Sequence, residues 1–240
     1  ANAYGVKHVI SCANGTDALQ IAFMALDLKA GDEIICPSWT YIATAEAAAI
    51  LGIKVVFCDV DLDTFNTTAD LIEPHINDKT KAIVPVHLYG QACDMEKICK
   101  IAKKYKLKII EDCAQSLGAE LQKRKAGTFG NFSCYSFHTQ KNITTLGEGG
   151  MLYVKDKTLA YKVLGLRHNG HCNFKFKRNH YWLPAMGNLD LDIKNKWPYK
   201  FTLSEIQCGA GIVMMRKLDR LNNLRIKRAK QFIKKFSKFH

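Results

Sequence analysis

The sequence has no long apolar run, no signal-peptide pattern and no closely spaced pair of cysteines. A membrane-spanning helix needs about 20 consecutive apolar residues, and no such run is present. The nine cysteines are scattered without a C-x-x-C pair, so we predict no metal site. An odd number of cysteines without a disulfide framework is typical of a reducing compartment, and we therefore expect the protein in the cytoplasm.

The chain also lacks a basic patch that extends over a whole domain, although its net charge is +13. Ten Lys/Arg and one Asp lie between Arg216 and Lys238, so this segment alone carries +9. Its apolar residues recur at helical spacing, which favours an amphipathic helix with a solvated basic face. Binding of this segment to nucleic acid or to an anionic membrane is the alternative, but we predict neither partner.

The length of 240 residues, with 48% hydrophobic residues, suits one large domain and part of a second. The sequence does not begin with Met, and it stops at Phe239-His240 within a helical pattern. We therefore expect an interior piece of a longer protein. We predict a large domain over residues 1–200, with an irregular segment at 170–200. Residues 201–240 are predicted to be the first helices of a smaller, truncated C-terminal domain.

Short apolar segments alternate with amphipathic segments along the first 155 residues. This alternation is typical of a parallel sheet buried on both faces, so we predict an α/β fold with a mostly parallel sheet flanked by helices. Two further strands are predicted at 133–137 and 151–154, on either side of a loop. The other predicted strands are 9–11, 34–36, 55–58, 83–86 and 109–110, and the predicted helices are 18–28, 43–51, 69–76 and 95–105.

Lys141 lies in the loop between the two later strands. The segment 131–147 contains no other Lys, Arg, Asp or Glu, which is a poor setting for a surface lysine. A desolvated lysine amine suits Schiff-base formation with a carbonyl cofactor and proton transfer at carbon. An ordinary solvated lysine is the alternative interpretation.

Asp112 ends a predicted buried strand, at the edge of a parallel sheet where ligands bind. A carboxylate there could keep a proton on a pyridine nitrogen, whereas capping of the next turn is the alternative. The neighbouring Glu111 should point to the opposite face of the sheet, because strand side chains alternate. Gln115, three residues further on, could reach a phenolic oxygen of the same ring.

Gly15 and Thr16 follow the first predicted strand and open a predicted helix. Free backbone N–H groups at a helix N-terminus bind phosphate, and Ser136 could add a hydroxyl; a plain N-cap by Thr16 is the alternative. Tyr41 follows a strand end, where it could stack on a cofactor ring or serve as a core aromatic.

The motifs together resemble the DegT-type sugar-nucleotide aminotransferases, a branch of the fold-type-I pyridoxal-phosphate enzymes. They occur in the family's order over nearly all of residues 4–165. The matching motifs are Asn14-Gly15-Thr16-Asp17-Ala18-Leu19, Pro37-Ser38-Trp39-Thr40-Tyr41, Pro85-Val86-His87-Leu88-Tyr89-Gly90, Glu111-Asp112-Cys113-Ala114-Gln115, Ser136-Phe137-His138-x-x-Lys141-Asn142 and Gly147-Glu148-Gly149-Gly150.

The resemblance implies pyridoxal 5'-phosphate as cofactor, with Lys141 as the Schiff-base lysine and Asp112 against the pyridine nitrogen. It also implies a homodimer with active sites at the interface, glutamate as amino donor and a nucleotide-linked keto sugar as acceptor. Related dehydratases carry His at the lysine position, so Lys141 favours transamination. The implied cofactor-binding residues are Gly15, Thr16, Tyr41, Asp112, Gln115, Ser136, Lys141 and Lys200.

Lys200 marks a departure from the family pattern. Many members have an Asn at this position and an Arg two residues later, which reach the cofactor phosphate of the partner subunit. Here Lys200 and Thr202 replace them, and a lysine can still pair with phosphate as a point charge. The loop 168–182 mixes aromatic and basic residues, which could contact a nucleotide diphosphate or form an exposed loop.

From these patterns we predict an aminotransferase of amino-sugar synthesis for surface polysaccharide or glycoconjugates. A pyridoxal-phosphate aminotransferase acting on a keto-cyclitol is one alternative. A non-enzymatic regulatory or nucleic-acid-binding protein that reuses the fold is another.

Overall fold

The computed structural model describes residues 1–173, 186–187 and 197–237. Its centre is a seven-stranded sheet with strand order β1-β9-β8-β5-β4-β2-β3. The strands β3, β2, β4, β5 and β8 pair in parallel, whereas β9 runs antiparallel to both β8 and β1. The predicted α/β fold with a mostly parallel sheet is confirmed. The strands are β1 Val9–Cys12, β2 Glu33–Pro37, β3 Lys54–Cys58, β4 Thr80–Ile83, β5 Lys108–Asp112, β6 Glu120–Leu121, β7 Arg124–Lys125, β8 Phe132–Ser136, β9 Gly150–Val154, β10 Cys172–Asn173 and β11 Met186–Gly187.

The helices begin where the sequence supplies capping side chains, since Asn, Asp, Ser and Thr accept hydrogen bonds from free N–H groups at helix starts. Such caps precede α1, α3, α4, α5 and α6 and are Asn14, Thr68, Asp94, Asp156 and Ser204. The α-helices are α1 Gly15–Ala25, α2 Ala43–Ala49, α3 Ala69–Ile72, α4 Met95–Lys104, α5 Lys157–Arg167 and α6 Glu205–Phe236, and short 3-10 helices cover Asn2–Tyr4, Glu73–His75 and Leu88–Gly90.

The helices lie on both faces of the sheet. One core cluster packs α1, α2 and α5 against the sheet, and its largest fully buried side chains include Phe23 and Phe132. A second cluster packs α3 and α4 against the other face, around Ile72 and Ile98. The central strands are therefore covered on both sides, which explains why their sequences are almost continuously apolar. The segment predicted as a helix at 69–76 is α3 followed by a 3-10 turn, because Pro74 interrupts the regular helix.

The part of the long helix α6 up to Asn222 packs against the sheet domain. Leu218 is buried in a third cluster, and the Asn222 side chain donates to the carbonyl of Leu117 (3.1 Å). Residues 223–237 are all exposed. The predicted amphipathic helix is thus present, but 205–236 form one continuous helix rather than several helices. The proposed domain boundary near residue 200 stays a prediction.

Two sequence-based predictions fall largely on residues that the structure does not describe. The predicted irregular segment 170–200 and the loop 168–182 lie mostly outside the described ranges. Among the described helices, none is long and apolar enough to span a bilayer.

Candidate active site

A cleft of about 580 Å³ opens at the carboxyl edge of the sheet. It lies where parallel sheets of this kind bind ligands. The structure brings seven of the eight residues predicted for the cofactor site to this one cleft, and their individual roles stay predictions. They are Gly15, Thr16, Tyr41, Asp112, Gln115, Ser136 and Lys141.

The N-terminus of α1 forms one wall of the cleft. Asn14 caps this helix, because its Oδ1 accepts a hydrogen bond from the Asp17 N–H at 2.8 Å. The alternative that Thr16 is the cap is therefore wrong, and its hydroxyl is not needed for capping. A Cβ on Gly15 would lie 2.9 Å from the Cβ of Ser136, so only glycine allows the two segments to approach this closely. The result is a helix N-terminus flanked by two hydroxyl side chains, which is a phosphate-binding arrangement.

The glycine cluster after Lys141 packs directly against the start of α1. A Cβ on Gly150 would lie 2.1 Å from the carbonyl oxygen of Asn14, a separation that no side chain allows. The start of β9 can therefore pass directly beside the start of α1. The close approach explains why glycine stands at this position in the sequence.

Asp112 lies at the end of β5 and is buried at the bottom of the cleft. Its Oδ2 accepts a hydrogen bond from the Thr44 hydroxyl (2.9 Å), and its Oδ1 accepts one from the Ala114 N–H (3.1 Å). Burial raises the pKa of the Asp112 carboxyl, and these two hydrogen bonds oppose the rise. A cationic N–H placed beside it would favour the carboxylate form. Such a group is what the protonated nitrogen of a pyridine ring provides.

Lys141 lies in the loop between β8 and β9, half-buried at the side of the cleft. Its Nζ is 6.0 Å from the ring centroid of Tyr41. The loop is held by backbone hydrogen bonds, from the Lys141 N–H to the His138 carbonyl (2.9 Å) and from the Thr139 N–H to the Gly147 carbonyl (2.9 Å). The amine is therefore carried by an ordered loop beside the ring of Tyr41, a largely exposed residue.

Gln115 lines the cleft close to Asp112. Its Oε1 accepts a hydrogen bond from the Tyr89 N–H at 3.1 Å, and this bond fixes which end of the amide is engaged. The other end, Nε2, is a donor. A phenolic oxygen is an acceptor that this donor could bind.

Lys200 is the predicted site residue that does not line the cleft. It lies beside α5, where its Nζ is 3.1 Å from Nε2 of His168. The resemblance assigned Lys200 to the cofactor phosphate of a partner subunit, and a position outside the cleft of its own chain is compatible with that role. The role stays a prediction.

Three cleft residues were given no role by the sequence reasoning. Thr44 anchors Asp112, and its signal was a polar residue in the first turn of an otherwise alanine-rich helix. Asp17 and Glu148 add carboxylates to the cleft wall. Burial raises the pKa of Asp17 to about 6, with a further contribution from the negative charge of Glu148.

One group in the described part of the chain has the composition of a metal site, namely His87, Glu111 and Cys113. All three are buried, and Glu111 and His87 are already saturated. Glu111 accepts hydrogen bonds from three backbone N–H groups of the segment 127–130, and its Oε2 is 2.9 Å from Nε2 of His87. The other ring nitrogen of His87 accepts from the Cys93 N–H. Both ring nitrogens of His87 are therefore engaged, and this group forms a structural network rather than a metal site.

Comparison with known proteins identifies the family of this chain. A model described as the DegT/DnrJ/EryC1/StrS aminotransferase family matches residues 1–240. The UDP-N-acetyl-3-dehydro-alpha-D-glucosamine 3-aminotransferase of Acidithiobacillus ferrooxidans is 47% identical over 69% of this chain and 45% of its own length. GDP-perosamine synthase of Caulobacter vibrioides is 40% identical over 90% of this chain and 54% of its own length. The chain therefore spans about half the length of these relatives.

A solved structure gives the same result for the fold. The crystal structure of ntda from Bacillus subtilis with bound cofactor PMP matches with a TM-score of 0.85 and 30% identity, over 99% of this chain and 50% of that one. The fold and the cleft together define the large domain of a fold-type-I pyridoxal-phosphate enzyme. The chain belongs to the DegT/DnrJ/EryC1/StrS aminotransferase family, and the resemblance drawn from the motifs is confirmed.

The residues of the cleft fit pyridoxal phosphate, the cofactor of this family. The close approach of Gly15 to Ser136 brings a hydroxyl beside the N-terminus of α1, and both face the cleft, where a phosphate can bind. The buried Asp112 suits a pyridine N–H, and the Lys141 amine lines the same cleft. These three features match the phosphate, ring nitrogen and aldehyde of the cofactor.

Proposed function

We propose that this chain is the cofactor-binding part of an aminotransferase that moves the amino group of glutamate to a nucleotide-linked keto sugar. One observation carries the proposal. A lysine amine, a buried carboxyl and a helix N-terminus with two flanking hydroxyls line a single cleft of about 580 Å³. We assign residues 1–200 to the cofactor domain and residues 201–240 to the start of a smaller domain.

Asp112 and Gln115 would set the electronic state of the cofactor ring. When bound, pyridoxal phosphate supplies an electron sink for negative charge that develops on the amino-acid carbon. The Asp112 carboxylate would hold a proton on the ring nitrogen, and the Thr44 hydroxyl fixes the orientation of that carboxylate. Gln115 would donate from Nε2 to the phenolic oxygen, because its Oε1 is engaged by the Tyr89 N–H.

Lys141 would have two tasks. Its Nζ would hold the cofactor covalently at the aldehyde carbon, with loss of water. The same amine, when free, would act as the base that moves a proton at the substrate carbon. A positioned base of this kind typically contributes about 10²–10⁴-fold to the rate. The Tyr41 ring, which lines the same cleft, would contact a face of the cofactor ring.

The phosphate of the cofactor would lie at the start of α1. Backbone N–H groups at Gly15 and Thr16 and the hydroxyls of Thr16 and Ser136 are the donors that this wall offers. These contacts would hold the phosphate independently of the covalent bond to Lys141.

The substrate class rests on the relatives. The two curated proteins compared above are named for UDP- and GDP-linked sugars. We propose a nucleotide-linked keto sugar as acceptor, glutamate as donor, and a role in amino-sugar synthesis for polysaccharide or glycoconjugates in the cytoplasm.

A homodimer with shared active sites is part of the proposal. Among the described residues that line the cleft, Lys141 is the one Lys or Arg, whereas Asp17, Glu46 and Glu148 add negative charge. Such a cleft is poorly matched to an anionic nucleotide sugar, so cations from a second copy would complete it. Lys200 of that copy is our candidate.

Transfer of a labelled amino group tests the proposed function. The cofactor-loaded protein is incubated with isotope-labelled glutamate and a panel of UDP- and GDP-linked keto sugars, together with a keto-cyclitol. We expect label in a nucleotide-linked amino sugar. Label only in the cyclitol would overturn the acceptor class. A colourless protein that transfers no label and binds DNA in a salt-dependent way would overturn the enzyme assignment in favour of a regulatory role.

A further inference from the structure

Three aromatic side chains form an exposed cluster beside the cleft. Trp39, Phe65 and Tyr89 are 53%, 42% and 68% exposed. The ring centroids of Trp39 and Phe65 are 6.1 Å apart, and those of Phe65 and Tyr89 are 6.4 Å apart. The indole Nε1 of Trp39 donates to the hydroxyl of Tyr89 at 3.3 Å. Each ring therefore contacts the other two while a large part of its surface stays open to solvent.

Strained backbone at two of the residues and the hydrogen bonds of one buried side chain hold the cluster in place. Phe65 and Tyr89 have φ values of 56° and 53°, in the left-handed region that side-chain-bearing residues rarely adopt. Asn66, which is buried, joins the two loops, since its Oδ1 accepts from the Leu88 N–H (3.0 Å) and its Nδ2 donates to the Gln91 carbonyl (3.0 Å). Backbone strain that the surroundings hold in place is a feature of ligand-binding sites. Here it presents two rings outward instead of burying them.

The cluster is continuous with the cleft. The Tyr89 N–H donates to Gln115, which lines the cleft, and Trp39 directly precedes the cleft residues Thr40 and Tyr41. A ligand that reaches out of the cleft past Gln115 would meet these rings. The cleft itself offers many carboxylates and few flat apolar surfaces, so the two neighbouring regions suit different parts of one elongated ligand.

We propose that Trp39, Phe65 and Tyr89 form a stacking platform for the nucleobase of the nucleotide-linked substrate. The inference rests on the proposed function, because it takes the keto sugar to be the part of the substrate that enters the cleft. Every nucleobase has a flat π face, and stacking on an aromatic side chain is tolerant of base identity. The platform therefore binds both uracil and guanine nucleotides.

Binding of nucleoside diphosphates without a sugar tests the platform independently of catalysis. UDP, GDP and inorganic pyrophosphate are titrated calorimetrically into the full, cofactor-loaded chain and into Trp39→Leu and Trp39→Phe. We expect Trp39→Leu to weaken UDP and GDP binding by roughly tenfold, because a stacking ring is lost. Trp39→Phe keeps a ring and restores most of the affinity, and pyrophosphate binding stays the same in all three proteins.

Phe57→Leu is the matched control, since Phe57 is an exposed aromatic (51%) on the neighbouring strand β3 outside the three-ring cluster. It should bind UDP and GDP as the unmodified chain does. Equal affinities in Trp39→Leu and the unmodified chain, or no UDP and GDP binding at all, would overturn the platform. A change from dimer to monomer in Trp39→Leu, measured by light scattering, would also overturn it and assign the cluster to contact with a second copy.

Failure of the proposed function has a different signature. Nucleotide binding that depends on Trp39, in a protein that transfers no amino group, would leave the platform in place and remove the aminotransferase assignment. Amino transfer with nucleotide affinity that is independent of Trp39 would keep the aminotransferase assignment and remove the platform.

Discussion

Glu111 and Asp112 are neighbouring acids at the end of β5, and their surroundings differ more than their burial. Both are buried, and they lie on opposite faces of the sheet, as strand geometry predicts. Glu111 accepts hydrogen bonds from three backbone N–H groups of segment 127–130 and also contacts His87. Asp112 accepts two and lines the cleft.

The difference shows how one strand end can serve both the fold and the chemistry. A buried carboxylate whose oxygens are saturated by the protein fixes the surrounding loop and has no capacity for a ligand. A buried carboxyl with fewer donors keeps acceptor capacity, and its raised pKa shows that the free protein does not compensate its charge fully. Variants of Glu111 should therefore change mainly stability, whereas variants of Asp112 and the other cleft residues should change mainly activity.

The largest expected effect on activity comes from Lys141, which lines the cleft. Lys141→Ala removes the amine that we assign to cofactor attachment and proton transfer, so amino transfer should fall by about 10⁴-fold or more. The measurement is kcat for label transfer from glutamate. Lys100→Ala, on the exposed face of α4, is the control and should keep the original rate. Wild-type turnover in Lys141→Ala would remove this residue from the mechanism.

The largest effect on stability should come from Glu111, whose carboxylate oxygens are saturated by hydrogen bonds. Glu111→Gln replaces a carboxylate oxygen by an NH₂ group that faces backbone donors, and we expect a loss of about 3 kcal/mol in the free energy of unfolding. Urea unfolding measures this change through its midpoint. Glu96→Gln, on the exposed start of α4, should change stability by less than about 0.5 kcal/mol. Equal stabilities of the two variants would contradict a structural role for Glu111.

Asp112→Asn should give the opposite result from Glu111→Gln. The amide cannot hold a proton on the ring nitrogen, so kcat/KM for amino transfer should fall about 10²-fold. Stability should change by less than about 1 kcal/mol, because burial already favours the neutral form of this side chain. If Asp112→Asn unfolds as readily as Glu111→Gln while retaining activity, the two acids have been assigned to the wrong roles.

The smallest expected effect is a pH dependence at Asp17. Its pKa is about 6 in the folded chain and about 3.9 in an unfolded one, so the folded state binds more protons between these values. Stability should therefore decrease as the pH rises from about 4 to 6 and then stay level, by no more than about 1 kcal/mol because the side chain is half-exposed. Asp17→Asn should remove this decrease in urea unfolding curves. An unchanged pH profile in Asp17→Asn would contradict the assignment.

Much of the fold was predictable from the sequence because helix and strand periods alternate regularly through residue 155. The sheet edge also followed, since parallel strands place their carboxyl ends together, and that placed Asp112 beside the start of α1. The alternative that Thr16 caps α1 was wrong, because Asn14 and Thr16 are both good caps and only backbone geometry separates them.

Other features of the site depend on contacts between distant segments. The Thr44 hydroxyl reaches Asp112 across 68 positions of the sequence, and no local pattern signals such a pair. The Trp39, Phe65 and Tyr89 cluster likewise joins three segments that are far apart in the sequence. The continuous length of α6 was not predicted, and its exposed half gains no support from packing within the described chain.

Mapping of the covalent attachment point of the cofactor tests the central claim most directly. The yellow, cofactor-loaded protein is reduced with borohydride and digested, and the modified peptide is sequenced by mass spectrometry. Our account predicts one modified residue, Lys141, and no modification in Lys141→Ala. A cofactor attached to another lysine, or a protein that acquires no covalent cofactor, would contradict it.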